Sequence, residues 1–304
     1  MVGRGEGRTI DAASANAPLT AWWLGRTRYR DAWDLQHRIV RARLEGLIGD
    51  QLLLLEHEPV LTLGRHGDPA HVLASAESLS ARGIELIRVE RGGQVTYHGP
   101  GQLTAYPILR LADRGLMIRP LVTALESALA AACAEFGVAA GPRDGFPGCW
   151  CGGRKIGAVG VRVEHGVTYH GIALNVTADM GDFALIDACG LPGVVSTSIA
   201  LERGESGSPT TESVARAAAA FAPALAAALD AGLLGALPPS TNPTAARAAL
   251  EAMLRKAGAA ERGTTKVGPG EGEAQAGSHS PAGSHSPAES HSPAGSAATP
   301  RGGR

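Results

Sequence analysis

Residues Arg91-Gly92-Gly93-Gln94-Val95-Thr96-Tyr97-His98-Gly99-Pro100-Gly101-Gln102 set four glycines and a proline among side chains able to bind and transfer protons. Glycine lacks a Cβ and reaches positive φ, so backbone N–H groups can turn toward a ligand and a substrate can lie directly on the main chain. The spacing matches neither a P-loop, which needs Gly-Lys-Ser/Thr, nor the dinucleotide fingerprint Gly-x-Gly-x-x-Gly. Two further residues suit nucleophilic chemistry. Cys189 lies between Ala188 and Gly190, small neighbours that leave a thiol accessible and let backbone amides approach a developing oxyanion. A thiol is a weak nucleophile at its free pKa of about 8.5, and a lysine nearby both lowers that value and carries the proton. Arginine outnumbers lysine 25 to 3, and Lys155 is the one lysine in the body of the chain, since Lys256 and Lys266 fall at or beyond its last helical pattern. Arginine does not release its proton at workable pH, so Lys155 either marks a needed titratable amine or survives by chance.

Other chemistries compete for the same residues. A Cys-His hydrolase would use His98 or His170 as the base. Cys149-Trp150-Cys151 has no second pair at zinc-finger spacing, and Cys133 falls on an apolar stripe, as a small buried hydrophobe does. A non-enzymatic acyl-carrying or metal-binding module is the remaining class. At 304 residues, 44% apolar and a formal charge of -1, the chain is expected to be a soluble globular protein with no extended nucleic-acid surface. Arg26, Arg28, Arg30, Arg38, Arg41 and Arg43 crowd one region, which is usually a solvated helix face and otherwise a docking face for an acidic partner. The N-terminus has no apolar leader core, and the longest apolar run, Ala217 to Leu229, is interrupted by Pro223, so a cytoplasmic protein with reduced thiols is expected.

The elements that must position these residues follow from periodicity. Residues 1–18 read as a flexible arm, Trp22 to Leu24 as the start of a strand, and Tyr29 to Leu47 as a helix. Leu52–Leu55 and Val60–Leu63 read as two short strands flanking a turn, with Gly64-Arg65-His66-Gly67 a second binding turn. Ile84–Val89 and Leu103–Leu111 are strands that hold the glycine-rich stretch between them. Ile118, Val122, Leu125, Leu129, Cys133 and Phe136 recur at three and four, with Pro120 near the start and Gly137 past the end, which predicts a helix. Ile156–Val163 and Val167–Val176 form a hairpin around Glu164-His165-Gly166, and Lys155 stands at its entry. Helices are predicted over 211–230 and 243–257. Beyond residue 258 the apolar content collapses, and a His-Ser-Pro pattern begins at His279, His285 and His291, which reads as a disordered tail. The catalytic domain is thus expected over 19–257.

Taken together, Arg91 to Gln102, Arg154-Lys-Ile-Gly-Ala-Val-Gly-Val-Arg-Val163, His170-Gly-Ile-Ala-Leu-Asn-Val176 and Ala188-Cys-Gly-Leu191 resemble the lipoyl(octanoyl) transferases. The resemblance spans roughly residues 20 to 230. It implies an α/β (α+β) fold shared with lipoate-protein ligases and biotin protein ligases: a mixed, largely antiparallel sheet with flanking helices enclosing an acyl tunnel. It also implies a reaction in which an octanoyl group passes from acyl carrier protein to a cysteine thioester. From there it goes to a lysine of a lipoyl domain of the 2-oxoacid dehydrogenase complexes or of the glycine cleavage H protein. Cys189 matches the nucleophile and Lys155 the residue that lowers its pKa. Arg91, Gly92, Gly93, Gln94, Val95, Thr96, Tyr97, His98, Ala158, Val159, Gly160, Gly171, Ile172 and Ala173 match the substrate-binding segments. No cofactor, metal, nucleic acid or membrane is implied, and a monomer is expected. Burying each CH₂ is worth about 0.8 kcal/mol, so an eight-carbon chain in a closed slot supplies several kcal/mol without a charged contact. Ala188 stands where the family commonly has proline, and Cys149 and Cys151 where small apolar side chains are expected. An ATP-dependent lipoate ligase is the alternative within the fold; it needs no cysteine, and Cys189 argues against it.

Overall fold

The computed structural model describes residues 17–187, 194–205, 210–238 and 240–264. The expected N-terminal arm and His-Ser-Pro tail fall almost wholly outside these residues.

Eight strands form one sheet. They are β1 (Leu19–Thr27), β2 (Asp50–His57), β6 (Gln102–Ile108), β7 (Gly141–Arg143), β8 (Phe146–Cys151), β9 (Arg154–Glu164), β10 (Val167–Asn175) and β11 (Leu233–Leu234). Their order is β11-β1-β2-β6-β10-β9-β8-β7, parallel where β1 meets β2 and β11 and antiparallel elsewhere. The Leu52–Leu55 run is the middle of β2, and alternation sends its side chains to two separate cores. Leu52 and Leu54 pack in one core with Leu125 and Leu129 of α3 (Ile118–Ala134), Ile199 of the short α4 (Ile199–Glu202) and Phe221 of α5 (Thr211–Ala228). Leu53 and Leu55 pack with Leu35 and Ile39 of α1 (Tyr29–Leu44) and with Leu250 of α6 (Pro243–Thr264). The sheet is therefore clad by helices on both faces.

A second sheet of order β4-β3-β5 comprises β3 (Val60–Leu63), β4 (Glu85–Arg88) and β5 (Val95–His98), with the short helix α2 (Ala76–Ala81) beside it. Here the structure departs from the sequence reading. β2 and β3 flank a turn as expected but belong to different sheets, and the glycine-rich stretch contains a strand, β5, paired with β3 from Leu63↔Val95 to Val60↔His98. The expected hairpin is present: β9 and β10 pair from Gly157↔Leu174 to Glu164↔Val167, and His165 and Gly166 take φ of 47° and 84° in the two-residue turn. The stripe on α3 is split. Leu125, Leu129 and Cys133 are buried in the core, whereas Ile118 and Val122 line a cavity. Gly137 caps the end of the helix at φ 74°.

The crowded arginines prove to be largely occupied in ion pairs. Arg26 pairs with Glu56, Arg30 with Glu85, Arg38 with Glu251, and Arg43 with Asp50 and Asp113. Four of the six residues expected to dock an acidic carrier are thus paired: Arg26 of β1 reaches β2, and Arg43, Arg30 and Arg38 of α1 reach β2, β4 and α6. A charge already neutralised nearby adds little to a long-range field.

Candidate active site

β8 pairs with β9 only from Cys151↔Arg154 to Cys149↔Gly157, so the next residues of β9 run on past their neighbour. Against that stretch lies a cavity of about 460 Å³. Its floor is Ala158, Val159, Gly160 and Val161 of β9 and His170, Gly171, Ile172 and Ala173 of β10. Arg91 to Thr96 and His98 close it from the side of the small sheet, and Ile118 and Val122 of α3 with Phe146, Pro147 and Trp150 close it from the other. Between its two ends the lining is mostly apolar, with Gln94 and Thr96 as polar members.

Lys155 lines one end. Its backbone is fixed on both edges: it is paired with Trp150, its N–H donates to the Val195 carbonyl at 2.8 Å, and its carbonyl accepts from the Thr197 N–H at 2.9 Å. Its Nζ lies 5.4 Å from the Trp150 ring centroid, a cation–π distance. Arg143 stacks over both Phe146 and Trp150, at 4.7 and 5.0 Å, and stiffens that wall. Gly148, at φ 130°, is required there, because a Cβ would sit 2.5 Å from the Gly157 carbonyl and 2.9 Å from Lys155 Cε.

A polar relay fastens the glycine-rich stretch to the lysine strand. Gln102 Nε2 donates to the Tyr97 carbonyl at 3.1 Å and to Asn175 Oδ1 at 2.9 Å, so its Oε1 is the acceptor for His98 Nδ1–H at 2.7 Å. Asn175 Nδ2 donates to the Thr197 carbonyl at 2.9 Å, and Thr197 is the residue hydrogen-bonded to Lys155. Arg91 is clamped by its Nε to Thr62 Oγ1 at 3.0 Å and by Nη2 to the Thr62 carbonyl at 2.6 Å.

Of the residues expected to bind substrate, Arg91, Gly92, Gly93, Gln94, Val95, Thr96, His98, Ala158, Val159, Gly160, Gly171, Ile172 and Ala173 line this one cavity together with Lys155. Tyr97 does not. One step along β5 from His98, it turns the other way and meets the Phe183 ring edge-on at 5.5 Å in the core of the small sheet. Cys189 lies outside the described residues; the chain is described up to Asp187 and again from Val194. Sequence reasoning missed Tyr29, Tyr106, Ile118, Val122, Phe146 and Trp150 in the wall, and gave His170 no binding role. Only His170 carried a signal, as the head of the His170–Val176 motif.

At the other end stand Tyr29, Arg91, His98, Tyr106 and His170. His57 lies behind them, its Nδ1–H donating to the Thr27 carbonyl at 2.9 Å and its Nε2 accepting from the Tyr106 hydroxyl at 2.7 Å. Burial is the main cause that holds all three histidines uncharged: it pushes His57 down to about 4 and His170 to about 3, and the nearby His57 and Arg91 help hold His98 well below its usual range. The pH dependence follows. Unfolded histidines take up protons below about pH 6.5 while these three do not, so the unfolded state binds more protons and stability falls as pH drops from about 6.5 toward 4. At pH 5 the loss is on the order of 2 kcal/mol for each histidine that stays neutral. Urea titrations at pH 7.5 and 5 are expected to show it, and an unchanged midpoint would contradict the burial of the cluster.

A helix-clad mixed sheet with a lysine at one end of a largely apolar cavity places the chain among α/β catalytic domains. Residues 28–219 match the lipoyl protein ligase A/B catalytic domain, and the chain belongs to that family. Within it, the similarity is to octanoyltransferases. The chain is 44% identical over 190 residues to the octanoyltransferase of Chloroflexus aggregans, covering 62% of this chain and 86% of that one. It is 47% identical over 209 residues to that of Acidobacterium capsulatum, covering 64% and 85%. Solved structures agree in fold: lipoate-protein ligase A bound with ATP superposes with a TM-score of 0.57 at 15% identity, over 79% of this chain and 93% of that one. Among the described residues no helix is long and apolar enough to cross a membrane.

Proposed function

We propose that this chain is an acyltransferase that moves an octanoyl group onto a lysine of lipoyl domains, the first step of endogenous lipoate biosynthesis. The observation that carries the reading is the cavity itself: mostly apolar walls sized for a medium acyl chain, with Lys155 at one end and glycine-rich backbone along its length. The donor is octanoyl-acyl carrier protein. Cys189, its proton held by Lys155, attacks the donor thioester carbonyl as a thiolate; the C–S bond to the carrier breaks, the carrier leaves as a thiol by taking the proton from the Lys155 ammonium, and an octanoyl-cysteine thioester and a neutral Lys155 remain. The neutral amine of the acceptor lysine then attacks that carbonyl, Cys189 leaves as thiolate, and the proton released by the new amide passes to Lys155 in its neutral form. Support for the pairing comes from Val195 and Thr197, which follow Cys189 closely in sequence and are hydrogen-bonded to the backbone of Lys155. The acceptors are the lipoyl domains of 2-oxoacid dehydrogenase complexes and the glycine cleavage H protein, and the enzyme works in the cytoplasm as a monomer. In keeping with such an acceptor, a solved structure of like fold has as its subject a bi-partite lipoate protein ligase and its E2 lipoyl domain from Thermoplasma acidophilum, with a TM-score of 0.52 at 15% identity over 79% of this chain and 91% of that one.

Intact-mass analysis after incubation with octanoyl carrier protein tests the reading. One octanoyl mass is expected, lost with hydroxylamine and absent in Cys189→Ser. A stable adduct mapped to Cys149 or Cys151 would overturn the assignment of the nucleophile.

A further inference from the structure

The end of the cavity away from Lys155 carries polar side chains. His170 is 1% exposed, lines the cavity, and has both ring nitrogens without a hydrogen-bond partner among the described residues. Its backbone sits at φ 54°, a conformation that a non-glycine residue adopts at a cost, in a strand where neighbours are extended. That bend also requires Gly171, where a Cβ would run into the Ala105 carbonyl and lie 2.7 Å from Pro107 Cδ. Gln94, which also lines the cavity, carries a second buried acceptor, its Oε1, without a partner among the described residues. Buried polar atoms are rarely left so, and strain held at such a place marks a function.

The geometry puts an acyl terminus there. His170 pairs with Val161, six residues along β9 from Lys155, or roughly 20 Å at about 3.3 Å per residue. Lys155 and His170 both line the cavity that runs along this stretch. Seven C–C bonds of about 1.5 Å in a zigzag cover roughly 9 Å, so an eight-carbon chain that starts at the Lys155 end runs its last carbons along the slot toward His170. A neutral imidazole offers one N–H and one lone pair, the complement of a hydroxyl, which accepts one hydrogen bond and donates another.

Resting on the acyl-transfer reading above, we propose that Arg91, His98, Tyr106 and His170 form a subsite for an oxygen function on the terminal carbons of the acyl chain. Medium-chain acyl groups with an ω-hydroxyl are then substrates alongside octanoyl. In a slot with apolar walls only, burying an unpaired hydroxyl lowers binding by about tenfold or more.

Two measurements on the full chain test this. Calorimetric binding of octanoate and 8-hydroxyoctanoate reads the cavity whether or not transfer occurs. The hydroxy acid is expected to bind within fivefold of octanoate or more tightly, and a fivefold or greater loss overturns the subsite. Transfer rates with octanoyl- and 8-hydroxyoctanoyl-pantetheine should give the same ratio of kcat/KM. In His170→Phe, which keeps the ring and removes both nitrogens, that ratio is expected to fall by about tenfold; a ratio equal to the parent's overturns the role of His170. Preserved binding without any transfer would count against the reaction and leave the subsite standing.

Discussion

Lys155→Arg is expected to lose about 10²- to 10⁴-fold in octanoyl transfer to the acceptor while keeping fast iodoacetamide labelling of Cys189 near neutral pH. A guanidinium supplies the positive charge that favours a thiolate, so the electrostatic part of the role survives. It has no accessible neutral form, so it cannot take the proton that leaves the acceptor lysine, and general-base assistance of that size is lost. Lys155→Ala should lose both labelling and transfer. The site sharpens the expectation because the Lys155 backbone is held by Val195, Thr197 and Trp150. Substitution of the side chain therefore leaves the strand in place, and the change in rate reports on the amine. Transfer by Lys155→Arg at a rate near the parent's would remove the proton-carrying role and leave only the electrostatic one.

Asp50→Ala is expected to destabilise the protein by about 3–5 kcal/mol, the cost of leaving buried charge without its counterion. Asp50 is 2% exposed, and its Oδ1 accepts from Arg43 Nε at 2.7 Å and from the Arg110 N–H at 3.1 Å. Its Oδ2 accepts from Arg114 Nε at 2.6 Å. Arg43 and Arg114 are themselves buried side chains, 9% and 2% exposed, so removing the carboxylate strands the Arg114 guanidinium inside the protein and leaves Arg43 with Asp113 alone. Glu251→Ala is the control: it removes the partner of Arg38 at a site where the two side chains are 39% and 29% exposed, and should cost less than about 1 kcal/mol. Urea unfolding checks both. A midpoint for Asp50→Ala no lower than that for Glu251→Ala would mean that the buried network contributes nothing beyond a surface pair.

The arginines show what a sequence leaves out. Six cations within eighteen residues read as a docking face because charge is visible in a sequence and its partner is not. Glu56, Glu85 and Glu251 reach Arg26, Arg30 and Arg38 from 30, 55 and 213 residues away. Tyr97 shows the converse. Its place in the glycine-rich motif put it with the binding residues, yet strand alternation sends it to the core of the small sheet while His98 faces the cavity.

What the sequence determined by itself is what repeats locally. The β9–β10 hairpin, the α3 stripe and the all-leucine middle of β2 are written in periods of two and 3.6 residues, because burial acts on the nearest face of each element. Lys155 stood out because arginine holds nearly every other position that needs only a fixed charge. Tertiary structure alone decided that β3 and β5 would leave the main sheet and lay Arg91 to His98 over β9 and β10. It also decided that Ile118, Val122, Phe146 and Trp150 would close a slot around the free run of β9, and that three histidines would be buried at its far end. Those residues lie far apart in the chain, and a cavity has no period. It exists where elements fail to meet, and only their packing against one another fixes that place.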